Sequence, residues 1–247
     1  MIGVGLGLPV TPAAAVSTAT LTPADLGAAL AYHFEGDSGV QSASLTRIPQ
    51  TISGVSGNPS VASNSTLQAG TSSWTVSGWF VADTIASTNR VLMSKFTTGQ
   101  GEWVAQITLT TGLLQLITVF VAAPTFHIAT TANAVTVGTP FFAAWGCDGT
   151  NQWVRLNNGT RATVAHNTTT HALVPGTAPL RIGVQSDAVD ILGGAAGNVG
   201  YWKGRSLSDA ELSSLYNAGA GVDYSALAGL SLTTNLVSYW KLNEKDG

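Results

Sequence analysis

The stretch Tyr201-Trp-Lys-Gly-Arg-Ser-Leu-Ser-Asp-Ala-Glu-Leu-Ser-Ser-Leu-Tyr-Asn-Ala-Gly-Ala-Gly221 decides the fold class. It reads as the one convincing helix in a chain whose other periodic segments alternate as strands. Ser208 is placed to cap the first N–H groups and Glu211 to reach back and close a capping box, with Leu207 and Leu212 at staple positions. Leu212, Leu215 and Tyr216 make one apolar stripe, and Gly219 offers a left-handed residue to end the helix. One helix among many strands argues against βαβ units. It points to an all-β, two-sheet antiparallel sandwich with one short C-terminal helix.

Upstream, the strand-like Leu180-Arg-Ile-Gly183 leads through a Gly-rich loop into Gly197-Asn-Val-Gly-Tyr-Trp-Lys203. A strand ending in Ile-Gly, then G-x-(I/V)-x-x-(V/W), then LS-x-x-E-(I/L)-x-x-LY resembles the end of a laminin G-like domain of the concanavalin A-like jelly-roll group. Trp74-Thr-Val-Ser-Gly-Trp-Phe80, Val91-Leu-Met-Ser-Lys95, and Asp148-Gly149 followed by Val154-Arg-Leu-Asn-Asn-Gly159 continue the resemblance, which covers roughly residues 28 to 221. It implies a jelly-roll sandwich, with calcium often held at a rim. It also implies a setting, because similar domains occur in phage structural proteins and bacterial surface proteins.

Composition narrows the function. Charged residues make up 9% of the 247, and the net charge of -3 leaves no basic field to hold nucleic acid or an anionic membrane. A hydrophobic share of 45% with seven Trp argues that the middle of the chain folds. Cys147 is single, which excludes an intrachain disulfide, and the preceding Phe141-Phe-Ala-Ala-Trp145 marks it as a buried hydrophobe. No apolar run approaches the roughly 18 to 20 residues of a membrane-spanning helix.

Three segments are expected: an N-terminal arm and linker over 1–24, a jelly-roll domain over 25–222, and a C-terminal linker and strand over 223–247. In the arm, Pro9, Pro12 and Pro23 exclude a continuous helix. Ala13-Ala-Ala15 resembles a signal-peptidase site, yet no Lys or Arg precedes it. The favoured reading is an extended arm whose Val4, Leu6, Leu8 and Val10 project to one side and dock on another chain. Within the domain, Trp74, Val76, Gly78 and Phe80 share one face of a strand, and Thr75, Ser77 and Trp79 the other. Further strands are expected at 91–95, 102–110, 113–121, 125–130, 141–147, 152–157, 160–166 and 180–184. Asn157-Asn-Gly159 suits a tight primed hairpin turn.

Leu236-Val-Ser-Tyr-Trp-Lys-Leu-Asn-Glu244 resembles the opening of a further laminin G-like repeat. Three readings stay open: a truncated second copy, a closing strand of the same sandwich, or a strand donated to a neighbour through Val237, Tyr239 and Trp240. Assembly into a homo-oligomer is expected.

Catalytic patterns are weak. A glycoside hydrolase on such a sandwich needs two carboxylates facing one another, whereas Glu102 stands alone in its strand and Asp209 with Glu211 serves the helix start. No Gly-x-Ser-x-Gly elbow and no zinc-type Cys/His spacing is present. Asp148, Asp187 and Asp190 are the residues that a rim calcium would use, although each also suits a turn. A glycan needs an exposed aromatic ring beside amides or carboxylates. Trp153 with Asn151 and Asp148 has those types, as does Trp103 beside Glu102, against the plainer reading of sheet packing. The expected function is a non-catalytic surface or virion module that binds glycan or decorates a phage particle. A purely structural scaffold is the alternative, and a divergent polysaccharide-cleaving enzyme the third.

Overall fold

The computed structural model describes residues 32–33, 44–48, 59–86, 88–97, 100–119, 126–166, 173, 176–185 and 190–242. Val4, Leu6, Leu8 and Asp187 lie outside them. The described residues form fourteen strands: β1 (Tyr32–His33), β2 (Ser44–Ile48), β3 (Ser60–Val61), β4 (Trp74–Ala82), β5 (Arg90–Thr97), β6 (Gln100–Ile107), β7 (Leu113–Val119), β8 (Phe126–Ala134), β9 (Phe141–Cys147), β10 (Asn151–Leu156), β11 (Ala162–Ala165), β12 (Leu180–Ile182), β13 (Gly194–Lys203) and β14 (Leu236–Trp240). Their ladders are antiparallel and make an eight-stranded sheet, β1-β2-β13-β4-β9-β10-β11 with β14 also on β13, and a six-stranded sheet, β3-β12-β5-β6-β7-β8.

The two faces of β4 account for the layering. Trp74, Val76 and Phe80 enter the space between the sheets, where Trp74 stacks on Trp103 with ring centroids 5.2 Å apart and Trp103 meets Trp145 at 6.2 Å. Trp79 and Val81 project the other way. They join Phe142, Ala144, Trp153, Ala195 and Trp202 in a second cluster, covered by Leu207, Leu212, Leu215, Val222, Leu227 and Leu232. A sheet apolar on both faces must be covered on both, and the segment after β13 supplies the third layer.

That segment contains α1 (Asp209–Tyr216), the single α-helix among the described residues. Its capping box is complete: Glu211 N–H donates to Ser208 Oγ at 3.2 Å, and Ser208 N–H donates to Glu211 Oε2 at 2.7 Å. The helix ends on Asn217 (φ 46), not on Gly219 as expected. Asparagine also tolerates the left-handed region, and Asn217 Nδ2 donates to Gly221 O at 2.9 Å.

The hairpin between β10 and β11 also differs from expectation. Asn157 takes φ 51, while Asn158 and Gly159 are not left-handed, so the connection is longer than a tight primed turn. Asn158 Oδ1 is occupied instead, accepting from Arg155 and from Ser213 Oγ on the helix. The Gly-rich run before Asn198 is not a loop but the first half of β13. A Cβ on Gly194 would lie 1.8 Å from the Val81 carbonyl oxygen, so the close approach of β13 to β4 requires glycine there.

Cys147 lies in the inter-sheet core, where burial pushes its thiol up to about 11. Leu236–Trp240, which resembles the start of a further repeat, pairs with β13 of its own chain.

Two stability measurements check these layers. Ser208→Ala is expected to cost about 1 kcal/mol in denaturant unfolding through loss of the cap. Gly194→Ala is expected to cost about 1–3 kcal/mol or more by forcing β13 off β4, and stability equal to the parent chain would show that the strands can separate without penalty.

Candidate functional site

The outer face of the six-stranded sheet is the surface that the helical segment does not cover. On β7 the residues alternate between buried and half-buried, so Leu113, Gln115, Ile117 and Val119 point outward while Leu114, Leu116 and Thr118 point into the sandwich. Register carries the outward row across to β8: Val119 opposes Phe126, Ile117 opposes Ile128, and Gln115 opposes Thr130. Phe126 is 56% exposed and Ile128 45% exposed. Beside them runs a polar ladder, in which Gln106 Nε2 donates to Gln115 Oε1 at 3.4 Å and Gln115 Nε2 donates to Thr130 Oγ1 at 3.1 Å. Fixing the amides this way leaves the Thr130 hydroxyl hydrogen for a ligand. An exposed ring, a flat aliphatic side chain and pre-oriented amides fit the apolar face and polar rim of a sugar.

The residues singled out from sequence lie elsewhere. Trp103 is fully buried among Trp74 and Trp145. Trp153 is fully buried beneath the helical layer, with the Arg161 guanidinium 4.0 Å above its ring and its indole N–H donating to Ser206 Oγ at 3.3 Å. Neither ring is open to a sugar, because each fills a cluster that one sheet face requires. Asp148 and Asn151 sit at the β9–β10 turn. Asp148 Oδ1 accepts from Thr150 N–H, Thr150 Oγ1 and Asn151 N–H at 2.7–2.9 Å. Burial raises this carboxyl, but the hydrogen bonds from Thr150 and Asn151 outweigh it and hold the group below the usual range.

Asp190 sits at φ 56, and burial raises its carboxyl despite the nearby Arg90. Among the described residues no three side chains of His, Cys, Asp or Glu gather in a way that could hold a metal ion. Asp148 Oδ1, already an acceptor for three donors, serves the turn that the sequence offered as the alternative to the calcium the resemblance implies. Val237, Tyr239 and Trp240 are half-buried, with Tyr239 O–H donating to Val222 O at 3.3 Å.

Glu102 occupies neither a cleft nor an open strand face. Lys95 opposes Trp103 and Phe96 opposes Gly101, so Glu102 is the extra residue of a β-bulge. It is fully buried, with Oε2 accepting from Ala69 N–H at 2.7 Å and Oε1 lying 3.5 Å from Lys95 Nζ. Lys95, also fully buried, donates to Ser63 Oγ, Gly176 O and Ala178 O at 3.0–3.3 Å. Burial pushes the Glu102 carboxyl up to about 7 against the pull of Ala69 N–H and Lys95. Burial, with the neighbouring Glu102 carboxylate, also raises the Tyr201 phenol. The other carboxylates with resolved partners serve structure: Asp209 holds Arg155 and Arg161, Glu211 holds Arg205, and Asp223 holds Lys241.

Phe126 and Ile128 escaped the sequence reading because Leu113-Leu-Gln-Leu-Ile-Thr-Val119 is apolar on both faces and does not say which is wet. Two glutamines, Gln106 and Gln115, on adjacent apolar strands were the available signal. Polar amides in such strands need partners, and each other's side chains are the nearest.

The fold is a concanavalin A-like jelly roll. No protein-family model and no curated protein sequence matches the chain. Among solved structures, a heptameric SAP-like pentraxin from Limulus polyphemus is similar with TM-score 0.53 and 14% identity, over 72% of this chain and 83% of its own. A tailspike protein 2 from an Escherichia coli O157:H7 bacteriophage gives TM-score 0.57 and 17% identity over 87% of this chain, which spans 29% of the tailspike. A candidate carbohydrate-binding protein from Bacteroides ovatus gives 0.52 and 16% over 77% of this chain and 51% of its own.

The Glu102 site makes a pH prediction. An acid harder to ionise in the folded chain than in the unfolded one contributes stability that is present below its ordinary value near 4.5 and is lost as pH rises through about 7. Unfolding free energy is therefore expected to decline across that window, and Glu102→Gln to flatten the decline. Lys95→Met is expected to cost about 3–5 kcal/mol at pH 8, by leaving the carboxylate buried without its partner.

Proposed function

We propose that this chain is a non-catalytic module that binds glycans at an extracellular or virion surface through the outer face of β7 and β8. The observation that carries the proposal is the exposed pair Phe126 and Ile128 beside the fixed Gln106–Gln115–Thr130 ladder. Apolar contact supplies affinity and the oriented amides supply discrimination among hydroxyl patterns. A tailspike and a candidate carbohydrate-binding protein among the structural neighbours lend the reading support.

The absence of catalysis in this reading rests on the carboxylates. Glycosidic cleavage requires an acid and a base or nucleophile on opposite sides of one bond. Glu102 is locked in the core by Lys95 and Ala69, and Asp209, Glu211 and Asp223 are spent on Arg and Lys partners.

Within a phage or surface assembly, the arm carrying Val4, Leu6 and Leu8 is the segment proposed to attach the module to another protein, and self-association into a homo-oligomer belongs to the same proposal. A scaffold without ligand would use Phe126 and Ile128 as a protein contact, and that is the competing reading.

Binding to a panel of immobilised bacterial and algal polysaccharides separates the two. Saturable binding is expected, weakened about tenfold, or ~1.4 kcal/mol, by Phe126→Ala. The melting temperature should stay unchanged because the ring is more than half exposed. A folded protein that binds no member of the panel while forming a stable oligomer through Phe126 would establish the scaffold reading instead.

A further inference from the structure

Arg181 stands apart from the other cationic side chains. Among the described Lys and Arg side chains, Lys95, Arg155, Arg161, Arg205 and Lys241 lie in ion pairs. Arg90 donates to the carbonyls of Thr84, Ala86 and Ile191, and Lys203 to that of Ser65. Arg181 has no such partner, and its Nε and Nη1 are closed off from solvent with nothing to donate to. Enclosing part of a guanidinium without an acceptor is unfavourable, so a retained arginine of this kind calls for a group that completes it.

Its position says what that group reaches. Leu180 and Ile182, on either side of it in β12, face the inter-sheet core, so Arg181 stands on the outer surface of the six-stranded sheet. Ser60 of β3 and Ser94 of β5 are its register partners. The same cross-strand row continues through Val104 and Ile117 to Ile128. Four strand-to-strand steps, roughly 19 Å, separate Arg181 from Ile128; Ser94 and Val104 between them are buried, so Arg181 is a position of its own on the face that also carries Ile128.

We infer that Arg181, with the Ser60 hydroxyl beside it, is the subsite for an anionic oxygen group, the carboxylate or sulfate of an acidic glycan. This deepens the glycan-binding reading and rests on it for the identity of the ligand. Guanidinium suits such groups because its planar donors match their oxygens.

The test compares the full chain, Arg181→Met and Arg181→Lys. Thermal shifts are measured in sodium glucuronate, sodium sulfate and sodium chloride at equal ionic strength, and binding is measured to immobilised uronate-containing, sulfated and neutral polysaccharides. Glucuronate or sulfate is expected to raise the melting temperature of the parent chain above its value in chloride and to leave that of Arg181→Met unmoved. Arg181→Met should itself melt no lower than the parent, since an unpaired cation has been removed. Its affinity for acidic polysaccharides should fall at least tenfold, with Arg181→Lys in between, and parent binding should weaken with added salt.

Which acidic polymer retains the parent chain tells carboxylate from sulfate. An equal anion shift in parent and Arg181→Met, or none in either, overturns the assignment. If neutral polysaccharides alone bind, and bind Arg181→Met as well, the subsite falls while the glycan reading stands. If free anions act through Arg181 but no polysaccharide binds, the anion site stands and the glycan reading falls.

Discussion

The architecture depends on the eight-stranded sheet being apolar on both faces. Trp74, Val76 and Phe80 of β4 demand a partner sheet on one side, and Trp79 and Val81 demand cover on the other. The helix and the turns after it answer the second demand, and polar tethers fix where they lie. Thr75 Oγ1 accepts from Leu207 N–H at 2.9 Å, Arg155 donates to Asp209 O at 3.0 Å, and Trp202 Nε1 donates to Leu232 O at 2.7 Å. A helix of eight residues has little stability of its own, so it exists here as a lid for aromatic rings. Among the described residues no equivalent lid lies over β7 and β8 of the six-stranded sheet, and there Phe126 and Ile128 remain exposed where a ligand can approach.

The buried Lys95–Glu102 pair performs the same fixing role at the loops. One bulge turns a carboxylate inward, and between them the two charges hold Ser63, Ala69, Gly176 and Ala178. Such a pair contributes little net stability compared with well-packed apolar residues. What it supplies is position, since the three donors of the ammonium and the two oxygens of the carboxylate accept only a few loop arrangements.

Much of the fold was legible because it is written in local chemistry. The capping box at Ser208 and Glu211, the two-faced alternation of Trp74–Phe80 and the strand spacing each have one physical solution. The boundaries that misled were those set by tertiary approach. Gly194 to Gly197 resembles a loop until the carbonyl of Val81 shows why a side chain is excluded, and Asn158 resembles a turn residue until Arg155 and Ser213 claim its oxygen. The candidate site was the least legible part. Tryptophan is the residue most suited to a sugar and also the one most needed by a core, and in this chain the core takes Trp103 and Trp153, leaving exposure to Phe126. Arg181 carries no sequence signal, because only the folded surroundings show its Nε and Nη1 to be enclosed without an acceptor.

One edge of β13 is shared end to end. Its first residues, Gly194 to Ala196, pair with β2, and Val199 to Trp202 pair with β14, while β4 occupies the opposite edge. This inner strand of the larger sheet is thus completed by segments from opposite ends of the described chain. Folding is accordingly dominated by non-local pairing, which is slow because loop closure precedes any reward. During that interval β13 presents open backbone flanked by Tyr201 and Trp202, an edge of the kind that seeds association between chains. The glycines along this strand then have a kinetic meaning as well: with little side chain to pack and weak strand preference, they make the waiting edge a poor template for a stranger.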